Sequence, residues 1–331
     1  MSNSIKKKLI LLGLSSIISI ICAEILLHIY STPYYMFNNN STEYFTNPRN
    51  YHIPIKTINN SIIYGLNYNN SPEGYRISPK KNISSKNSTT KAILGLGDSF
   101  MYGQGVKYKD IYLEILKQLL QDNNIDADIK NCAKRGDNLN DIVKTYDIES
   151  SKNSFNLVIY GFTLNDFMAD DQDQIHGNNL IDFNNGGYKY WKIRKYSSII
   201  NAFLNFQEEQ QLTKNTISTY INSFEGENEK KNFEKLKSLN KKIEAKNSRL
   251  MIVLFPLLYK LDNYPFQTIH SKLKQFCEKE NIAFIDLSPL YRSYKDRQLW
   301  VNPTDHHPNE IAHQIAAKKI NYFLLKNKLL N

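Results

Sequence analysis

From Lys91 onward, short apolar runs alternate with longer stretches whose apolar residues recur at helical spacing. Ala92–Leu96, Ile125–Asn131, Asn156–Tyr160, Leu250–Phe255 and Ile282–Asp286 read as buried strands. Lys109–Gln121, Asn138–Ser150, Asn232–Lys246, Phe266–Lys279 and Asn309–Lys326 read as amphipathic helices. This alternation predicts an α/β domain with a parallel sheet covered on both faces. Right-handed crossovers then close it as a three-layer, flavodoxin-like arrangement. Residues 167–224 break the rhythm with an acidic cluster (Asp170, Asp171, Asp173), a Gly-Gly pair and the run Tyr188-Lys189-Tyr190-Trp191. They read as an insertion after the third strand, a lid or platform over the ligand end of the sheet.

The N-terminal pattern is different. Lys6-Lys7-Lys8 precedes a mostly apolar run from Leu9 to Tyr30, long enough to cross a ~30 Å hydrocarbon layer as a helix. The lysines should stay cytoplasmic, which exports everything after Tyr30. A cleaved signal peptide has a shorter apolar region ending in small residues. Ile20-Ile21-Cys22-Ala23-Glu24 offers no such site, and Ile21 is too large to precede a lipoprotein-type cut at Cys22. Residues 1–30 therefore read as a single-pass anchor in the cell membrane, with the rest on the periplasmic or extracellular side. Glu24 and His28 lie near its outer end, where ionisable groups reach the interface. Residues 31–90, rich in Tyr, Asn, Ser and Pro without periodicity, read as a stalk and an irregular segment wrapping the domain at 91–331. Triplets such as Asn82-Ile83-Ser84 follow from the abundance of Asn.

With 331 residues, 41% of them hydrophobic and 22% charged, the chain can bury a full α/β core. Its net charge of +10 comes from lysines scattered among asparagines and isoleucines, with no Arg-rich helix, so nucleic acid is not an expected partner. Cys22, Cys132 and Cys277 have no metal-ligand spacing; Cys132 and Cys277 read as small buried residues.

Chemistry-bearing residues collect at the predicted strand ends. Ile93 to Val106 runs from a strand through Gly97-Asp98-Ser99 towards a helix. A serine placed there sits where open α/β sheets bind ligands, beside outward-pointing N–H groups. It is not the Gly-x-Ser-x-Gly elbow, because position 101 is Met. Alone, Gly-Asp-Ser is an ordinary turn; partners elsewhere decide. Gly136 follows the second strand, Asn165 the third, and Asp305-His306-His307-Pro308-Asn309 the fifth, leading into a helix with His313. A nucleophile, a base, an orienting acid and oxyanion donors are what serine acyl transfer requires.

Those four pieces, in that order, resemble the SGNH or GDSL hydrolases, named for Ser, Gly, Asn and His in four sequence blocks. Gly-Asp-Ser-Phe-x-x-Gly-x-Gly-Val and Gly74-Tyr75-Arg76 also resemble the membrane-anchored bacterial subset. The resemblance covers residues 74–325 apart from the insertion. It implies Ser99 as nucleophile, His307 as base and Asp305 as the residue that orients the imidazole. It also implies an oxyanion hole from the N–H groups of Ser99 and Gly136 and the Asn165 side chain. In the family the Asp commonly stands three residues before the His; here it stands two, as in polysaccharide-acetylating relatives. His306 is the competing base, but Pro308-Asn309 after His307 fits the pattern. His313 reads as packed, Asp98 and Asp166 as turn holders, and Asn309 as a helix cap.

The expectation is an exported serine esterase acting on acyl esters, O-acetyl above all, of an envelope glycan or lipid, with no metal or organic cofactor. The same site run towards a sugar hydroxyl would make an O-acyltransferase, which calls for a membrane acyl-donor protein as partner. A lipase or thioesterase, and a non-catalytic envelope binding protein, remain as rival functions. The acidic cluster reads as a solvated loop or a cation site, and the Tyr188–Trp191 run as packing or a sugar-stacking surface.

Overall fold

The computed structural model describes residues 3–30, 35–38, 41–44, 54–58, 61–64, 68–79, 89–168, 181–182, 187–188, 197–200, 203–204, 217–302 and 305–330. The acidic cluster at 170–173, most of the Tyr188–Trp191 run and Asn82 lie outside the described residues. The chain divides into two compact units, one of residues 66–173 and 217–331, the other of residues 1–65 and 174–216.

The first unit is built on five parallel strands: β5 (Lys91–Gly97), β6 (Ala127–Asn131), β7 (Leu157–Phe162), β10 (Arg249–Leu254) and β11 (Ala283–Asp286). Their spatial order is β11-β10-β7-β5-β6. Every residue of β7 is buried, as a strand covered on both faces must be. Helix α3 (Tyr112–Asp122) packs on α7 (Glu310–Lys326), and α4 (Leu139–Lys152) on α5 (Gly226–Glu244); α6 (Gln267–Lys279) packs on β11. This is the three-layer α/β architecture the alternation predicts.

The chain leaves β5 for β6 on one side and then crosses to β7 on the other. The junction of β5 and β7 is therefore the topological switch point, the place at which open α/β sheets bind their ligands. In register, Gly97 lies beside Gly161. A Cβ at Gly97 would come 2.9 Å from the Gly161 carbonyl oxygen, so glycine here lets the two strand ends converge.

Helix α3 begins at Tyr112, three residues past its expected start, because Ile111 is extended (φ −71°, ψ 137°). Helix α5 begins earlier than its apolar pattern suggests, at Gly226.

The second unit contains α1 (Asn3–Tyr30) and three two-stranded antiparallel pairs: β1 (Tyr35–Asn38) with β2 (Ser41–Tyr44), β3 (Pro54–Ile58) with β4 (Ser61–Tyr64), and β8 (Ile181–Asp182) with β9 (Gly187–Tyr188). β1 also contacts β9, so this unit joins residues before the sheet domain to residues of the insertion. Ser4–Leu27 has a mean hydropathy of 2.4, long and apolar enough to cross a membrane; a signal sequence meets the same measure.

Candidate active site

Ser99 opens the four-residue helix α2 (Ser99–Tyr102) directly after β5. Asp98 caps that helix by accepting the Phe100 N–H at 2.9 Å. Gly103 closes it in the left-handed region at φ 77°. The short helix thereby turns Ser99 outward, half-buried at the strand ends.

The base reaches it from a hairpin absent from the apolar pattern. β12 (Trp300–Asn302) pairs antiparallel with β13 (Asp305–Pro308). Successive side chains of a strand point to opposite faces. His306 stacks on Trp300 with ring centroids 3.8 Å apart. His307 turns the other way, and its Nε2 lies 2.8 Å from Ser99 Oγ. The His307 ring also lies against Phe100. Trp300 Nε1–H donates to the Leu258 carbonyl at 2.6 Å, pinning the hairpin to the loop after β10. Asn309 caps α7 through the N–H groups of Ile311 and Ala312, and its Nδ2 donates to the Gln298 and Trp300 carbonyls. The backbone of Asp305 is in β13, but its side chain lies outside the described residues.

The third strand end brings Asn165 alongside. Asn165 sits on a short 3-10 turn, Leu164–Phe167, and its Nδ2 donates to Asp98 Oδ2 at 3.1 Å. Thr163 Oγ donates to the same Asp98 oxygen at 2.8 Å. Asp166 folds back beneath, accepting the Thr163 N–H at 3.0 Å and the Tyr160 hydroxyl at 2.9 Å. Burial raises the carboxyl pKa of both Asp98 and Asp166; the Asp98 charge pushes Asp166 up further, well above its ordinary value.

Gly136 lies in the loop after β6, exposed and at φ 80°, a conformation that favours glycine. That loop is hung on β5: Lys134 N–H donates to the Gly97 carbonyl at 3.2 Å, and Cys132 N–H to Gly95 at 2.8 Å. Asn131 Nδ2 donates to the Met101 carbonyl at 3.2 Å, tying β6 to the serine helix. Beside Gly136, Asp137 is buried with Oδ2 lacking a hydrogen-bond partner and Lys134 at 3.7 Å. Burial pushes its pKa up to about 6.

The structure thus collects Ser99, His307, Asn165 and the Gly136 loop at one edge of the sheet. His313 is elsewhere: its buried Nδ1 accepts the Tyr112 N–H at 3.1 Å, and burial pushes its pKa down to about 3. A ring that stays neutral and faces the core cannot serve Ser99. Burial also pushes the Cys132 and Cys277 thiols up to about 12, which leaves them unreactive.

The GDSL-like Lipase/Acylhydrolase family profile matches residues 96–315, from β5 into α7. The chain belongs to this family. Membership in the GDSL-like lipases and acylhydrolases places it among the ester hydrolases. No curated protein matches it. Among solved structures, TesA is 13% identical with a TM-score of 0.46, covering 71% of this chain and 98% of its own. The psychrotrophic esterase EstA from Pseudoalteromonas is 16% identical with a TM-score of 0.44, covering 73% of this chain and 100% of its own. The acetyl xylan esterase AlAXEase is 13% identical with a TM-score of 0.45, covering 69% and 97%.

Trp300, Asn131 and Thr163 had no functional reading in sequence. Their common signal is a polar or aromatic residue at or next to a strand end, which many loops share.

Proposed function

We propose that this GDSL-family chain is a membrane-anchored, exported serine esterase that works through an acyl-serine intermediate. The observation that carries the proposal is the 2.8 Å contact between Ser99 Oγ and His307 Nε2 at the switch point. In this reading Ser99 Oγ attacks the ester carbonyl carbon while its proton passes to His307 Nε2. The oxygen that gains charge is met by the N–H groups of Ser99 and Gly136 and by Asn165 Nδ2. One such donor is typically worth ~10²–10³ in turnover. His307 then returns the proton to the leaving alkoxide as the C–O bond breaks. Water, losing a proton to His307, releases the acid and restores the serine. Asp305 is proposed to hold the imidazole for both transfers.

The apolar Ser4–Leu27 helix supports a membrane element, and Lys6–Lys8 at its start support an orientation with the esterase outside the cytoplasmic membrane. That location makes O-acetyl groups on envelope glycans or lipids the proposed substrates. Ser99→Ala should abolish hydrolysis of p-nitrophenyl acetate with the thermal transition unchanged; retained hydrolysis removes Ser99 from the chemistry. Supplying a sugar acceptor decides the fate of the acyl group: free acetate marks the esterase, acetylated sugar an O-acyltransferase. Protease digestion of spheroplasts should degrade the domain; protection would overturn the topology.

A further inference from the structure

Among its described residues, the insertion makes a contact with α1 that the esterase chemistry does not use. Glu24 lies in the apolar helix α1, and its carboxylate is taken up by residues 197–199. Ser197 Oγ donates to Oε2 at 3.0 Å, Ile199 N–H donates to Oε2 at 3.1 Å, and Ser198 N–H donates to Oε1. Ser197 Oγ in turn accepts the Ile200 N–H at 3.2 Å, so the contact starts a helical turn at 198–200. On α1, Ala23, Glu24 and Leu27 are partly covered, whereas Cys22, Ile25 and Leu26 are exposed. This is one helix face meeting a partner while the others remain open.

Depth follows from helix geometry. Leu9 is the first apolar residue after the lysines, and the rise from Leu9 to Glu24 is about 22 Å at 1.5 Å per residue. In an anchor crossing a ~30 Å hydrocarbon layer, that leaves Glu24 short of the outer interface that its position near the helix end suggests it reaches. An ionisable side chain at that depth requires a polar partner, and residues 197–199 supply three donors. A segment bonded to Glu24 is necessarily at its depth. Its outward side chains suit that place: Phe203 is 58% exposed and Ile200 39%, comparable with Ile25 at 54% and Leu26 at 56% on the anchor.

We infer that residues 197–200 and 203–204 belong to a second membrane element, docked on α1 through Glu24 and seated with Ile200 and Phe203 among the acyl chains of the outer leaflet. This rests on the anchored reading above. The insertion is thereby fixed at the bilayer surface rather than carried in solvent. Non-helical backbone at that depth needs its polar groups met, and the carboxylate takes the N–H groups of Ser198 and Ile199 while Ser197 Oγ takes that of Ile200.

The test uses the full chain in phosphatidylcholine–phosphatidylglycerol vesicles containing nitroxide-labelled lipids. New cysteines at Phe203→Cys, Ile21→Cys and Ile148→Cys, each with Cys22→Ser and with the buried Cys132 and Cys277 left in place, carry an environment-sensitive fluorophore. Strong quenching at positions 203 and 21 and none at 148 is expected, and adding Glu24→Ala should reduce quenching at 203 at least twofold. Quenching at 21 with none at 203 overturns this inference and leaves the anchor standing. No quenching at 21 overturns both. Unchanged quenching at 203 in the Glu24→Ala variant overturns docking through Glu24.

Discussion

Proton accounting at Thr163 decides how the serine's surroundings are charged. Its hydroxyl carries one proton, yet Oγ lies 2.8 Å from Asp98 Oδ2, 3.3 Å from Asp166 Oδ1 and also against Asn165 Oδ1. Asp98 also accepts from Asn165 and Phe100 and feels the nearby His307, which offset part of the burial that raises it, so of the two it is the one expected to carry the charge. Burial and the Asp98 charge both push Asp166 up, so the expected place for a shared proton is Asp166, facing Thr163. Asp166→Asn preserves that donor and an acceptor for Tyr160, so turnover of p-nitrophenyl acetate should fall by no more than about 5-fold, or ~1 kcal/mol. Asp98→Asn sets an amide against existing donors and should lose about 10²-fold; the opposite order would place the proton on Asp98. Asp137 gives a pH dependence. Its native pKa of about 6 lies above the ordinary carboxyl value, so the folded state binds more protons between about pH 4 and 6. Stability is therefore lost as pH rises through that window. Asp137→Asn should raise stability at pH 7 by about 1–2 kcal/mol, with the gain fading below about pH 4. Melting temperature against pH measures both; an equal gain at every pH would contradict the assignment.

At the scale of elements, all five sheet strands and the helices beside them were legible because parallel strands and amphipathic helices have distinct periods. The boundaries were not, for an identifiable reason. Three of the helix-to-strand connections turn on an asparagine in the left-handed region: Asn124 (φ 59°), Asn247 (φ 56°) and Asn281 (φ 54°). Glycine there would have marked the helix ends, but in so Asn-rich a chain the signal disappears. Asn281→Ala should lower unfolding stability by about 1 kcal/mol and Asn281→Gly should not; denaturant titration separates them, and equal stability of all three would contradict a conformational role. The β12–β13 hairpin was illegible because its strands are short and Pro303 and Pro308 interrupt any alternation. His307 itself was legible only through a family pattern. What aims it is the stack of His306 on Trp300, a contact between residues with no periodic relation.

Within the sheet unit, the segment at 68–79 works far from its place in sequence. Arg76 is buried, donating to the carbonyls of Tyr102, Gly103 and Val106 and lying over the rings of Tyr68 and Tyr102. Tyr68 accepts the Gly105 N–H at 2.8 Å. One guanidinium thus holds the loop that follows Ser99, and the compact ammonium of a lysine does not reproduce a planar fork bonded to three carbonyls. Arg76→Lys should cost about 2–4 kcal/mol of stability and lower kcat more than it raises KM, read from steady-state kinetics below the transition temperature. Unchanged kcat would make Arg76 a stabiliser only. The whole account stands on Ser99 becoming acylated with His307 taking its proton. Intact-protein mass spectrometry after brief acid-quenched incubation with p-nitrophenyl acetate reads this directly. A single acetyl adduct on Ser99, absent in Ser99→Ala and strongly reduced in His307→Ala, is the predicted result. An adduct on another residue, or equal labelling of Ser99 without His307, would contradict it.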